Sequence, residues 1–384
     1  MSFVFGVPVV AGAPIVIAAG SGGAEGSVWG IMSVAIALVA MVLVAPRMRG
    51  SLRALLRRRA PERVVILGAG APARKIAAAV EAAPEALSLV GFVSVEDDVD
   101  RKLTPIGLPL PAPILGRMVD VRSILESVHP DRVIVALTEW RNRLPVNELL
   151  ECGTNGTAVE TASQAYERLT GKLAIESLTP SYLLFSGPFR TKRSQELLTR
   201  AVSLVLAVVG LAITAPLMAI VAALIKLDSP GPALFVQERV GLRGRRFKLL
   251  KFRTMLPAEG TTSEWVCDNT DRITRVGEWV RKFRLDELPQ FINVLRGDMN
   301  LVGPRPHPVT NRELFSSSIP FYSLRDSVRP GITGWAQVRN GYANNLDEET
   351  EKMRYDLYYI KNRSLWLDIR ILLETVKVVL FGQE

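Results

Sequence analysis

The sequence predicts a membrane α/β protein in three folded parts. These are an N-terminal transmembrane helical hairpin with a basic flank (residues 1–60), a small Rossmann-like parallel α/β domain (61–178) and, after a linker (179–196), a C-terminal domain (197–384) with a re-entrant membrane helix over 201–225. Three observations predict this class: apolar runs of bilayer-spanning length, a strand–glycine turn–helix pattern between them, and charged motifs near the C-terminus. A hydrophobic fraction of 48% and a mean hydropathy of +0.20 agree with a membrane protein that carries soluble parts.

Two charge-free apolar runs, 3–19 and 28–44, predict the N-terminal hairpin, with a glycine-rich turn between them. A secretory signal peptide is the alternative for the first run, but no basic residue precedes the run and glycines and prolines interrupt it. Six arginines follow between residues 47 and 59. Because arginine and lysine concentrate in cytoplasmic loops beside membrane helices, we expect the rest of the chain in the cytoplasm.

The formal charge of +9 suits nucleic acid, anionic lipid or phosphorylated substrates. The arginines cluster beside apolar runs and no basic-aromatic motif occurs, so we expect a membrane surface and no nucleic acid. The two cysteines, Cys152 and Cys267, have neither metal-ligand nor redox spacing. We interpret both as buried thiols.

The α/β domain begins with the buried-strand run VVIL (64–67), the turn GAGAPA (68–73) and a helix over 75–83. Strands over 89–93 and 132–136, with a helix over 121–128 between them, continue the alternation. The turn also fits a G-x-G-x-x-A dinucleotide fingerprint, with Glu96 and Asp97 as candidates for a ribose contact. An NAD-dependent sugar-modifying enzyme therefore remains an alternative, beside a structural or regulatory domain.

The apolar run over 201–225 is long enough to cross a membrane. Pro216 lies in its interior, where proline removes a backbone hydrogen bond, and basic residues flank both ends. We expect a helix that breaks at Pro216, dips into one leaflet and returns, with Thr214 or a neighbouring segment satisfying the freed carbonyls. A kinked spanning helix is the alternative.

Charged motifs follow at short intervals. In FKLLKFRTM (247–255) apolar and basic residues alternate as in a strand with one cationic face that can hold phosphates. The later motifs are RKFRLDELPQFINVLRGD (281–298), LVGPRP (301–306), RPGITGWAQV (329–338) and YDLYYIKN (355–362). The run 365–381 has apolar residues at helical spacing and predicts an amphipathic or core helix on or beneath the membrane.

These motifs, in this order, closely resemble the bacterial sugar transferases, the monotopic polyprenyl-phosphate phosphoglycosyl transferases that start exopolysaccharide, capsule and O-antigen synthesis. The resemblance covers about residues 192–381. Two domains ahead of the catalytic one resemble the long-chain members, which carry a transmembrane bundle and a Rossmann-like domain. The sequence departs from that pattern in having two predicted N-terminal helices where four are usual, and Ala215 before Pro216 where the family often has serine.

The resemblance implies that an aspartate attacks the β-phosphate of a nucleotide diphosphate sugar, usually a UDP-sugar, and releases UMP. Polyprenyl phosphate then takes the phospho-sugar from the aspartyl intermediate. By position in the motif, Asp286 is the nucleophile and Glu287 a ligand of the Mg²⁺ that the family requires. Guanidinium groups hold two phosphate oxygens at once, so we expect Arg281 and Arg305 on the diphosphate. Further candidates for the substrate site are Lys248, Lys251, Arg253 and, as a second acidic residue, Asp356.

The residue chemistry agrees with this scheme, because a carboxylate that attacks phosphorus forms a mixed anhydride and divides one exchange into two steps. Alternatively, Asp286, Glu287 and Pro289 only open a helix that continues through Leu295, since acids and proline are favoured at helix starts. A non-catalytic membrane scaffold is a third function, but it does not account for paired acids in basic surroundings. The sequence leaves the sugar, the polymer and the oligomeric state open, a homodimer included.

Overall fold

The structure is a computed structural model that describes residues 60–95, 110–137, 144–178, 193–256, 271–341 and 343–381. The predicted N-terminal hairpin, Glu96, Asp97, Cys267 and most of the predicted linker lie outside the described residues. The described residues belong to one compact unit that begins after residue 56.

The α/β domain contains one parallel sheet of five strands in the order β3-β2-β1-β4-β5. Apolar side chains of β1 and β4 are fully buried between helices on both faces of the sheet. The strands are β1 Glu62–Leu67, β2 Leu87–Ser94, β3 Ile114–Arg117, β4 Arg132–Val135 and β5 Ala158–Thr161. The helices are α1 Ala71–Glu81, α2 Val121–Val128, α3 Val146–Thr154 and α4 Ala162–Thr170. The predicted parallel α/β domain is confirmed.

The glycine turn after β1 has a packing reason of its own. Gly68 has a φ of +111°, a conformation that side chains disfavour, and a Cβ there would lie 2.7 Å from the carbonyl oxygen of Ala136. The end of β1 thus passes the end of β4 too closely for any larger residue. Packing within the sheet is therefore enough to explain the first glycine of the fingerprint.

The C-terminal part is built around the long helix α5 (Arg193–Asp228), the hairpin β6–β7 and the paired strands β8 and β9. Its largest core cluster includes Val294, Met299, Phe315, Leu357 and Tyr359. The strands are β6 Leu234–Val240, β7 Arg246–Phe252, β8 Asn300–Val302 and β9 Gly331–Thr333. The remaining helices are α6 Arg275–Lys282, α7 Gln290–Arg296, α8 Val309–Ser318, α9 Trp335–Asn340, α10 Leu346–Asn362 and α11 Leu365–Phe381.

Helix α5 is continuous, so the predicted break at Pro216 is absent. The Thr214 hydroxyl donates to the Gly210 carbonyl at 2.7 Å, and this is not the Ala212 carbonyl that proline leaves without its usual donor. One lost hydrogen bond does not break the helix, which is anchored on either side of Pro216 by buried residues such as Ala207 and Val221 and by contact between Gly210 and Phe291. Among the described helices, α5 alone is long and apolar enough to cross a membrane.

Both ends of α5 contact the same domain. Near the start, Arg200 donates to the carbonyls of Met299 at 2.7 Å and Val294 at 2.6 Å, and near the end Asp228 accepts from the Val276 amide at 3.3 Å. The opposite face is apolar and exposed, and its residues are Leu197, Leu198, Val205, Val208, Ile213, Leu217, Ile220, Leu224 and Leu227. A helix of 36 residues, about 54 Å long, therefore lies along one body with its apolar face outward.

The segment after α4 packs with the C-terminal part. Leu173, Ile175 and Leu178 belong to the largest core cluster of that part. The Leu173 amide donates to the Arg354 carbonyl at 3.0 Å, and the Trp335 indole donates to the Gly171 carbonyl at 2.8 Å. The predicted boundary at residue 178 therefore divides residues that the structure packs together.

Candidate functional site

The hairpin β6–β7 and the residue that follows it place three predicted basic residues, Lys248, Lys251 and Arg253, in different surroundings. Lys248 and Lys251 lie on opposite faces of β7 because successive side chains alternate across a strand. Lys248 is exposed and pairs in register with Glu238. The Lys251 ammonium lies over the Phe235 ring, 5.0 Å from its centre. Only Lys251 faces the acidic pair described below.

Arg253 has a structural role instead of the predicted contact with phosphate. Its guanidinium donates to the Pro230 carbonyl at 2.6 Å, the Ser229 carbonyl at 2.8 Å and the Ser229 hydroxyl at 3.0 Å. The side chain is 6% exposed. It satisfies carbonyl groups just beyond the end of α5, where a helix leaves acceptors without partners. We therefore leave Arg253 out of the substrate site.

Asp286 and Glu287 lie in a tight turn between α6 and α7. The turn is a short 3₁₀ segment, Leu285–Glu287, and it is preceded by Arg284 with a φ of +56°. A left-handed conformation is uncommon for a residue other than glycine and persists only where surroundings enforce it. The acids thus precede α7, which begins at Gln290, and do not form its first turn. Leu288 and Pro289 keep right-handed helical angles, so the acidic turn leads directly into α7.

Asn293 fastens α7 to the hairpin. Its side-chain oxygen accepts from the Leu250 amide at 3.0 Å, and its side-chain nitrogen donates to the Lys248 carbonyl at 2.7 Å and to the Asp298 carboxylate at 3.1 Å. A fully buried amide with its groups satisfied fixes the relative position of two elements. The acidic turn is thereby held against the strand that carries Lys251.

The Asp286 carboxylate receives no hydrogen bond from any of the described residues, yet it lies in a cationic setting. Burial and the Glu287 charge raise the pKa of Asp286 to about 6, while Arg305, Lys251 and Arg281 act in the opposite direction. A carboxylate that is partly desolvated and not engaged in an ion pair keeps its lone pairs available for reaction. Three predicted residues therefore converge on the predicted nucleophile.

Glu287 is held by Arg305, whose guanidinium donates to Oε1 at 2.8 Å. The bond fixes the second acid and brings the GPRP motif against the acidic turn. The side chain of Arg305 is half-buried, so part of it remains accessible to solvent. A fork of this kind can bind a carboxylate and a phosphate oxygen together.

Lys251 is the third cation near Asp286. Burial lowers the pKa of Lys251 to about 8, with the charges of Arg239 and Arg305 adding to the effect and Asp286 opposing it. An anion that enters the site would favour the charged form of Lys251. The arrangement therefore suits a ligand with several negative charges.

Asp356 lies behind the site in a buried ion cluster. Asp356 is 2% exposed and forms an ion pair with Arg325, with 2.8 Å between a carboxylate oxygen and a guanidinium nitrogen. Glu349, His307 and the Tyr322 hydroxyl complete the cluster, with His307 Nδ1 2.9 Å from that hydroxyl. Burial raises the pKa of Glu349 to about 7 and lowers the pKa of His307. The predicted second acid of the substrate site is thus an internal partner of an arginine.

The sequence alone did not single out Arg325, Glu349 or His307. Glu349 and Asp356 are seven residues apart and share one face of α10, but acids at that spacing are common on exposed helices. The only signal was that His307 follows the GPRP motif directly. Burial of these charges became visible only in the fold.

The donors of the acidic turn fit a magnesium ion that is shared with substrate. Among the described residues, no group of three or more His, Cys, Asp or Glu side chains could hold a metal alone. Mg²⁺ commonly binds one or two carboxylates together with substrate phosphates, and Glu287 supplies one such carboxylate beside the nucleophile. Since Oε1 of Glu287 accepts from Arg305, the other oxygen of Glu287 would be the one to hold such an ion.

The chain matches the model of one protein family, described as bacterial sugar transferase, over residues 194–382. It is 45% identical over 188 residues to a UDP-glucose:undecaprenyl-phosphate glucose-1-phosphate transferase of Caulobacter vibrioides, over 48% of this chain and 70% of that protein. It is 40% identical over 186 residues to the exopolysaccharide production protein PSS of Rhizobium leguminosarum, over 47% of this chain and 93% of that protein. The chain belongs to the bacterial sugar transferase family. The acidic turn, Arg305 and Lys251 all lie inside the matched residues.

Another relative extends the match upstream. The chain is 43% identical over 235 residues to a UDP-N-acetylgalactosamine-undecaprenyl-phosphate N-acetylgalactosaminephosphotransferase of Aeromonas hydrophila. The match covers 61% of this chain and 55% of that protein, so the chain spans about half the length of this relative. The family is therefore established for the C-terminal part, which contains the site.

Proposed function

We propose that this bacterial sugar transferase moves a sugar 1-phosphate from a UDP-sugar to undecaprenyl phosphate, releases UMP, and so starts the synthesis of an exopolysaccharide, capsule or O-antigen. The observation that carries the proposal is the Asp286 carboxylate, which receives no hydrogen bond from the described residues and lies among Lys251, Arg281 and Arg305. The named activities of the relatives supply the donor and the acceptor. They name different sugars, so the sugar stays open.

The reaction begins when an oxygen of Asp286 attacks the β-phosphorus of the donor. A bond forms between carboxylate and phosphorus, the bond from phosphorus to the bridging oxygen breaks, and UMP leaves with the electron pair. Lys251 and Arg281 bind the diphosphate and offset the repulsion between an anionic nucleophile and an anionic substrate. An oxygen of the acceptor phosphate then attacks the same phosphorus and restores the Asp286 carboxylate.

Glu287, the second acid of the turn, has the role of metal ligand. Its free oxygen and the donor diphosphate would bind Mg²⁺, which supplies charge neutralisation on the phosphate oxygens when bound. Arg305 keeps Glu287 in place through its 2.8 Å hydrogen bond and adds a positive charge beside the donor diphosphate. Asp286 therefore reacts while its neighbour orients the substrate.

The membrane acceptor fits the outer face of α5. Both ends of this helix bind the same domain and its exposed face is apolar, so we place the helix on the cytoplasmic leaflet of the inner membrane with that face in lipid. This position would bring the acceptor phosphate to the domain surface. Ser194→Cys and Pro230→Cys, each in a background without Cys152 and Cys267, should show the same accessibility to an impermeant thiol reagent in intact cells. Opposite accessibility would refute the placement.

Intact-protein mass spectrometry tests the chemistry. The full chain in detergent is incubated with UDP-glucose, UDP-galactose or UDP-N-acetylgalactosamine, with Mg²⁺ and without acceptor. A mass increase of one sugar phosphate with one of these donors, labile to hydroxylamine and absent in Asp286→Asn, is expected. Asp271→Asn is the matched control, because Asp271 is exposed and the same change there should keep the adduct. Normal turnover by Asp286→Asn would overturn the assignment.

A further inference from the structure

We infer that Arg325 is a positioning residue for transfer, which acts through the main chain of Arg305 and does not touch the substrate. The inference rests on the proposed function, because Arg305 and Glu287 must work at the reacting phosphate. It concerns a residue more than 30 positions from the acidic turn. Three sets of contacts and the burial of the charged cluster support this role of Arg325.

The guanidinium of Arg325 joins two elements. One terminal nitrogen donates to the Arg305 carbonyl at 3.0 Å, and the same nitrogen lies 2.8 Å from the Asp356 carboxylate of α10. The other terminal nitrogen is 3.7 Å from Glu349 of the same helix and hydrogen bonds to the Tyr322 hydroxyl. Arg325 therefore connects α10 with the chain segment that carries Arg305.

That segment has its own supports. The Val240 amide donates to the His307 carbonyl at 3.0 Å, and the Arg239 guanidinium donates to the Pro306 carbonyl at 3.1 Å. The His307 ring packs edge-on against Phe315 with 5.4 Å between ring centres. The residues on the C-terminal side of Arg305 are thus fixed by β6, while Arg305 itself receives its main-chain hydrogen bond from Arg325.

The path continues to the reacting groups. The side chain of Arg305 donates to Glu287, and Glu287 follows Asp286 in the chain. Two hydrogen bonds therefore connect the buried Arg325 with Glu287, the residue directly after the nucleophile. A displacement of the Arg305 backbone would move the guanidinium from both Glu287 and the diphosphate.

Burial explains why an arginine is required. Arg325 is 8% exposed, Glu349 3% and Asp356 2%, so the cluster is desolvated and its geometry is strict. A planar guanidinium can address a carboxylate and a carbonyl in fixed directions, whereas a lysine ammonium is a point charge on a flexible stem. Arg325→Lys keeps the charge that balances the two acids but loses the fork that reaches Arg305.

A double-mutant cycle tests the inference. We expect Arg325→Lys to lower kcat/KM for the donor by about ten- to hundredfold, since a displacement of about 1 Å costs on that order. In an Arg305→Ala background the same change should alter kcat/KM by less than about twofold, because the group that it positions is gone. Arg312→Lys is the matched control, because Arg312 is an arginine of the neighbouring segment that pairs with Asp326 at 2.8 Å. It should stay within about twofold of wild type.

The outcomes separate the two claims. Equal losses from Arg325→Lys in both backgrounds would overturn the positioning role, since a general loss of stability is additive. If Arg325→Lys does not fold, Arg325→Met combined with Asp356→Asn replaces it in the cycle, because this pair of changes removes the donor to the Arg305 carbonyl without leaving Asp356 as an unpaired buried charge. The same loss of kcat/KM is expected, and it should again shrink to less than about twofold in the Arg305→Ala background. A wild-type protein without any sugar-phosphate adduct would sink the proposed function and this inference with it.

Discussion

Two clusters of charge lie on either side of Arg305, and they differ in how their acids are satisfied. The Asp356 carboxylate is buried and paired with Arg325, whereas the Asp286 carboxylate receives no hydrogen bond from the described residues. Burial raises the pKa of both acids above the ordinary value. A raised pKa therefore indicates a reactive carboxylate only where the oxygens lack a hydrogen-bond or ion-pair partner. Where the oxygens are paired, a raised pKa indicates a structural carboxylate.

The same acid-to-amide change should separate the two acids most clearly in stability. Asp356→Asn leaves Arg325 without a charged partner, so we expect a loss of about 3–5 kcal/mol in the free energy of unfolding. Asp286→Asn removes a desolvated charge without a hydrogen-bonded partner, so its thermal midpoint should equal or exceed that of wild type. Thermal unfolding of the detergent-purified proteins measures both. A similar loss in both variants would show that the two acids are equivalent.

Lys251 tests the same comparison through a cation that lies near Asp286. Lys251→Met removes a charge-assisted contact with phosphate, worth about 1.5–3 kcal/mol, so kcat/KM for the donor should fall by about ten- to hundredfold. Because the pKa of Lys251 is lowered to about 8, the ammonium is charged below that pH and neutral above it. The kcat/KM of wild type should therefore decline as pH rises through about 8, toward the value of Lys251→Met.

The control for that pH limb is Lys251→Arg. Arginine stays charged throughout this range, so the decline near pH 8 should disappear from the profile of this variant. A decline that persists in Lys251→Arg would assign the titration to another group. The profile is measured as UMP release at donor concentrations well below KM.

The smallest effect is expected at Lys248, on the opposite face of the same strand. Its side chain is exposed and pairs in register with Glu238, away from the acidic turn. Lys248→Met should change kcat/KM by less than about twofold and the free energy of unfolding by about 0.5 kcal/mol or less. A loss as large as that of Lys251→Met would place Lys248 at the substrate after all.

The sequence predicted the elements that depend on local pattern. The helix over 121–128 and the helix over 365–381 begin and end where predicted, and strands β1, β2 and β4 of the parallel sheet lie at the predicted runs, whereas β3 and β5 were not predicted. The convergence of Lys251 and Arg305 on Asp286 agrees with the motif-based expectation. These features were accessible because periodicity and motif order are written in neighbouring residues.

The remainder depended on tertiary contacts. A basic residue in a strand does not reveal whether it meets phosphate or helix carbonyls, and Arg253 does the latter. Pro216 signals a lost hydrogen bond, but packing on both sides of it keeps α5 continuous. The burial of Asp356 depends on Arg325, which is 31 positions away in the sequence and on a different element.

The packing of Leu173, Ile175 and Leu178 into the C-terminal core bears on how this architecture can be recombined. A chimera that exchanges the α/β domain between two members of the family has its natural crossover near Gly171, ahead of these residues. A crossover near residue 179 would instead carry three foreign side chains into the core beneath α10. The part of the α/β domain that can be exchanged therefore ends earlier than the strand-and-helix pattern suggests. The residues after Gly171 belong with the catalytic domain that follows them.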